Sequence, residues 1–137
     1  MPRTITTVQW AAANSTTLAA GATATSDAVA PAVGTYEASL SVSATHSATP
    51  AAGDTIDVYL AVSSDGTGYD SEQPAQLYYL GTIDTADALT SGASPGASFV
   101  ARKTFTHLPL APSNWKLHTV SNAASSVTIA AEYAEVS

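Results

Sequence analysis

The sequence predicts an all-β fold, a single antiparallel β-sandwich of about eight strands. Three observations carry this. Apolar and polar residues alternate with period two, turn-forming residues recur every roughly 10 to 15 positions, and no long stretch keeps a helical period. Strands joined by turns without intervening helices pack as a sandwich or close as a barrel, and eight of them suit a jelly roll.

The elements follow in chain order. Thr4 to Trp10 alternates weakly and reads as a first strand. From Ala11 to Ala24 the chain is alanine-rich, but its Thr and Ser content and Gly21 disfavour a helix, so a loop with a short strand is expected. A short strand is expected around Thr25 to Val29. From Tyr36 to Ala44 the pattern is unambiguous: Tyr36, Ala38, Leu40, Val42 and Ala44 lie on one face, and Glu37, Ser39, Ser41 and Ser43 on the other. From Ile56 to Ser63 the inward set is Ile56, Val58, Leu60 and Val62, with Asp57, Tyr59 and Ala61 outward. Gln76 to Ile83 and Ser98 to Thr106 are weaker strands. Then Trp115, Leu117 and Thr119 alternate with Lys116, His118 and Val120, and Val127, Ile129, Ala131 and Tyr133 alternate with Thr128, Ala130 and Glu132. The separators are 31–34, 50–54, Asp65-Gly66, 91–96, 109–113 and Ser121-Asn122, rich in Pro, Gly, Asn, Asp and Ser.

At 137 residues the chain suits one sandwich domain spanning 1–137, able to bury roughly two-thirds of its unfolded surface. Residues 1–30 admit two equal readings, an extended N-terminal arm or an edge strand of the chain's own sheet. Ala supplies 28 positions and Ser plus Thr 36. Small side chains within strands imply thin packing, so aromatics should anchor the core, with Trp10, Tyr36, Tyr79, Phe99, Phe105, Trp115 and Tyr133 as candidates.

Composition narrows the partners. The net charge is −7 with four basic residues, Arg3, Arg102, Lys103 and Lys116, which form no cluster, so nucleic acid and anionic membrane are unfavourable partners. No run approaches a membrane span, and Met1-Pro2-Arg3-Thr4 leads into alternation without the apolar stretch of a secretion signal. A soluble protein made in a cytoplasm is expected. Without cysteine, neither disulfides nor thiolate metal sites are available.

No reactive constellation stands out. His46, His107 and His118 have no partner at metal-ligand spacing. The acidic loop Asp65 to Glu72 lacks the alternate carboxylates and twelfth-position glutamate of a helix–loop–helix calcium site, and Asp65-Gly66 serves as a turn. Asp54 and Asp57 should face opposite sides of a strand, and Glu132 with Glu135 fares no better as a glycosidase pair. There is no G-x-S-x-G elbow and no phosphate loop. A non-enzymatic protein without metal or cofactor is expected. Tyr59, Tyr69, Tyr78 and Tyr79 are the side chains from which an aromatic sugar platform would be built, though a core or interface is their commoner use. Tyr78 and Tyr79 should point to opposite faces, so at most one belongs to the core.

Three stretches carry a resemblance. Asp54 to Tyr69 is a strand running into a Ser-x-Asp-Gly turn, Leu80-Gly81-Thr82-Ile83 is a later strand containing glycine, and His107 to Leu117 holds the corner Leu108-Pro109-Leu110-Ala111-Pro112 before a strand. Together they cover roughly the last two-thirds of the chain. In these features the chain resembles small structural proteins of tailed-bacteriophage virions. The resemblance implies a jelly-roll head decoration, or cement, protein on the outer surface of the virion head, bound to the major capsid protein and made in the host cytoplasm. It also implies a homo-oligomer, a trimer if closed rotational symmetry holds. The N-terminal stretch has the composition to add a strand to a neighbour, with Thr4, Ile5, Val8 and Trp10 as assembly contacts. The alternative is a tail-associated carbohydrate-binding or host-recognition module.

Overall fold

The computed structural model describes residues 3–32, 37–47, 53–63, 77–84, 99–106, 108 and 114–136. Within them the chain forms nine strands and no helix: β1 (Arg3–Thr7), β2 (Thr16–Leu18), β3 (Thr23–Thr25), β4 (Glu37–His46), β5 (Thr55–Ser63), β6 (Tyr78–Asp84), β7 (Phe99–Phe105), β8 (Asn114–Ser121) and β9 (Val127–Val136). One sheet runs β1-β9-β4-β7, with β2 also on β9; the other runs β3-β8-β5-β6. Every pairing between these strands is antiparallel.

Strands β1 and β2 lie end to end along the same side of β9, Arg3–Thr7 opposite Val136–Glu132 and Thr16–Leu18 opposite Ile129–Val127. They are one edge strand interrupted by an excursion over 8–15. Counted so, the nine segments reduce to eight strands in two interleaved four-stranded sheets, the arrangement of a jelly roll.

The core follows the alternation. Leu40, Val42 and Ala44 of β4, Ile56, Val58 and Leu60 of β5, and Val127, Ile129, Ala131 and Tyr133 of β9 are buried between the sheets. Trp115 of β8 and Tyr133 of β9 meet edge-on across the two sheets, with ring centroids 5.5 Å apart. This pair supplies bulk to a core in which Ala38, Ala44, Ala101 and Ala131 are also buried. On the side where β7 and β6 are the sheet edges, Lys103 pairs across from Val42 and donates from Nζ to the Thr82 carbonyl at 2.9 Å. A charge at an edge strand, tied to the opposite sheet, joins that side of the sandwich and discourages further strand pairing.

Of the expected aromatic anchors, Trp10, Phe105, Trp115 and Tyr133 are buried. Tyr79 is corrected: it is 54% exposed, and Tyr78 is 50% exposed, so neither tyrosine enters the core. A bulge at Val58/Tyr59 is what turns Tyr79 to the outer face. Val58 pairs with Gly81 but Tyr59 with Tyr79, so Leu80 is an extra residue and the parity of β6 changes beyond it. Tyr36 and the side chain of Phe99 lie outside the described residues. The first expected strand also ends early, at Thr7, and Trp10 instead bridges Ala13 in a tight turn. The strand expected around 25–29 is β3 at Thr23–Thr25, followed by a single bridge from Val29 to Trp115.

Candidate functional site

Two surfaces stand out, one at the N-terminal edge and one on the outer face of the second sheet. In β1 every residue is exposed, and Ile5 is 58% exposed although it is apolar. Val8 N–H donates to the Ala131 carbonyl at 3.0 Å, so by antiparallel alternation Thr4 and Thr6 turn their backbone groups toward β9, while Ile5 and Thr7 turn theirs to the open edge. Of the four expected assembly contacts, Thr4 and Ile5 therefore sit on an accessible edge. Val8 and Trp10 do not: both belong to the core of this chain, Val8 because it is still bonded to Ala131 of β9 and shares that residue's inward face, and Trp10 because the turn it closes with Ala13 carries it inward. This narrows the N-terminal candidate surface to Arg3–Thr7.

The second surface is built by β3, β8, β5 and β6. Cross-strand register places Thr25, His118, Tyr59 and Tyr79 in one row, and Thr23, Val120, Asp57 and Thr82 in the next. The Tyr59 and Tyr79 rings are 5.4 Å apart and tilted by 55°. His118 backs Tyr59 at 6.3 Å. Its Nδ1 is 2.8 Å from the Thr25 hydroxyl, and the ring is buried even though it lies on the outward face, covered by its neighbours in the row. Asp57 receives the Thr82 hydroxyl on Oδ1 at 2.6 Å and the Asn122 amide on Oδ2 at 3.0 Å. Because the Thr82 hydrogen is committed to Asp57, the Tyr79 hydroxyl donates to Thr82 Oγ1. Tyr79 is thus pinned through Thr82 to Asp57 while its ring stays open to solvent. Burial, then the Asp57 charge and Tyr79, push the Tyr59 hydroxyl above its ordinary range, so Tyr59 stays a neutral donor at neutral pH.

The remaining expected groups are dispersed. Asp54 is buried and accepts from Ala124 N–H at 3.3 Å, on the far side of its strand from Asp57. Glu132 is exposed, whereas Glu135 is buried and accepts from the Tyr133 hydroxyl at 3.0 Å and Ala32 N–H at 3.1 Å. Burial and this carboxylate raise the Tyr133 hydroxyl far above its usual range. His46 is buried far from the face just described, and His107, Tyr69 and the loop Asp65 to Glu72 lie outside the described residues. Among the described residues no group of three or more His, Asp or Glu side chains is placed to hold a metal. No helix among them is long and apolar enough to cross a membrane.

No protein-family model matches the chain, and no curated protein matches it. Among solved structures it is similar to a chain in the structure of infectious bursal disease virus Gx strain, with a TM-score of 0.54, 11% identity, and coverage of 98% of this chain and 32% of that one. It is also similar to a mutant VP2 protein of infectious bursal disease virus from derived T=1 particles, with a TM-score of 0.51, 10% identity, and coverage of 97% and 31%. The Yersinia pseudotuberculosis-derived mitogen aligns over 99% of this chain and 88% of its own at 10% identity, with a TM-score of 0.47. The chain spans about a third of the length of the viral proteins it matches. At such identities the likeness to the two viral structures shows a shared β-sandwich fold alone.

Proposed function

We propose that this chain is a structural protein of a virion, a decoration protein that binds outside the major capsid protein lattice of a tailed bacteriophage and stabilises the head. The observation that carries the reading is β1, a fully exposed edge strand that pairs on one side with β9 and offers Ile5 and Thr7 backbone groups on the other. An open edge is a liability in a lone monomer and an asset in an assembly, because a neighbouring chain can add a strand to it. The jelly-roll fold, shared with proteins of a viral particle, and the phage-like stretches around Asp54–Tyr69 and His107–Leu117 support the same reading. Many copies making modest contacts on a repeating lattice give large total stabilisation without a catalytic site.

The test is to add purified chain to phage heads that lack it. The expected result is saturable binding at a fixed ratio to the major capsid protein, raised heat resistance of the heads, and self-association, as a trimer, at high concentration. A chain that binds no head and sediments as a monomer at every concentration overturns the proposal.

A further inference from the structure

We propose that the outer face of the sheet β3-β8-β5-β6 binds a neutral pyranose saccharide on the Tyr79 ring, with Asp57 as the hydroxyl acceptor. This goes beyond an assembly role and does not depend on it.

Tyr79 presents a large apolar surface to water, and the bulge at Val58/Tyr59 is what turns it to the outer face. Bulges commonly re-aim a side chain at a site. The ring is also held: its hydroxyl is engaged by Thr82, and its flank meets Tyr59, itself backed by buried His118. A fixed ring loses little entropy when a ligand settles on it. The negative face of an aromatic ring attracts the weakly positive C–H groups on the flat side of a pyranose.

The polar half of the site lies one residue row away. Among the described residues each Asp57 oxygen accepts one protein donor, Thr82 on one and Asn122 on the other, and a carboxylate has about four lone-pair sites in all. The two protein bonds fix the plane of the carboxylate and leave capacity for two adjacent sugar hydroxyls, which donate as a pair. Charge selects among sugars. Asp57 at the centre and a chain charge of −7 disfavour uronates and sialic acids, which leaves neutral hexopyranosides.

The experiment uses the isotope-labelled full chain without any capsid, so its outcome is independent of head binding. Methyl β-glucopyranoside, methyl β-galactopyranoside, methyl α-mannopyranoside and glucuronate are titrated separately while backbone amide signals are followed. At least one neutral glycoside is expected to give saturable shifts at millimolar concentration, confined to residues around Asp57–Tyr59, Tyr79–Thr82, His118 and Asn122. Tyr79→Ala and Asp57→Asn should each weaken that binding about tenfold, whereas Thr104→Ala on the other sheet should leave it unchanged. The proposal is overturned if no neutral glycoside gives saturable shifts, if glucuronate binds equally well, or if Tyr79→Ala binds like the parent. A face that ignores all four sugars but becomes protected when the chain sits on a head belongs to the capsid contact, and that outcome also overturns it.

Discussion

The Asp27 carboxylate caps the backbone of Ala12, accepting its N–H at 2.9 Å, and takes the adjacent Ala11 N–H at 3.1 Å. Both alanines have positive φ, 48° and 66°, at the centre of the two-residue turn closed by Trp10 and Ala13. Such a turn favours Asn or Gly, because a Cβ in the left-handed region costs about 1–2 kcal/mol. Asp27 offsets that cost with two charge-assisted hydrogen bonds. The turn in turn draws Trp10 into the core, which splits the first edge strand into β1 and β2.

Ala12→Gly should therefore stabilise the protein by about 1 kcal/mol, and Asp27→Ala should destabilise it by about 2 kcal/mol. Urea unfolding of the two variants measures both. Equal midpoints for Ala12→Gly and the parent would show that the turn stores no strain.

Gly81 stands where the ring of Phe105 crosses from the opposite sheet. A Cβ there would lie 2.6 Å from Phe105 Cε1, well inside contact distance. Gly81→Ala is expected to cost about 1–3 kcal/mol through overpacking, and adding Phe105→Leu should recover part of the loss. A double-mutant cycle by chemical denaturation checks the coupling.

His46 is buried with Nδ1 lacking a hydrogen-bond partner among the described residues. Burial lowers its pKa from 6.5, and the Asp54 carboxylate opposes the shift. The folded state thus prefers the neutral ring. Stability from this preference is complete above about pH 6.5 and is lost as pH falls from there through the depressed folded value, since the unfolded chain binds the proton more readily. The Tm should drop between pH 7 and pH 5, and His46→Gln should flatten that part of the profile. An unchanged slope in the variant would assign the drop to other groups.

Ile5 offers a separation of folding from assembly. Its N–H points to the open edge, so Ile5→Pro removes a donor that β9 does not use. The variant is expected to keep the Tm of the parent within a few degrees, about 1 kcal/mol or less, while losing self-association and head binding. Sedimentation and head-binding measurements check this, and undiminished assembly would move the contact elsewhere.

Strands β4, β5, β8 and β9 were legible because each buries one face and wets the other, so period two is imposed on Leu40, Val58, Leu117 and Ile129 alike. Tyr79 was misplaced because a bulge changes parity without a sequence marker of its own. Asp57 and Tyr59 shared an outward face from the start, but their partners Thr82, His118 and Asn122 come from three other segments and were not predictable as a group. Trp10 looked like an ordinary strand residue because nothing in Ala11-Ala12 announces a left-handed turn; Asp27, fifteen residues on, makes it possible.

By itself the sequence determined that this protein is an antiparallel sandwich with no clustered cations and no cysteine chemistry, since those follow from local periodicity, turn residues and composition. Only the tertiary structure decided that the first edge strand is broken in two and that a tyrosine pair and a held carboxylate share an open face. The reason is physical: register, bulges and cross-sheet contacts arise from partners distant in sequence, and one residue of shift sends a side chain to the other side of the sheet.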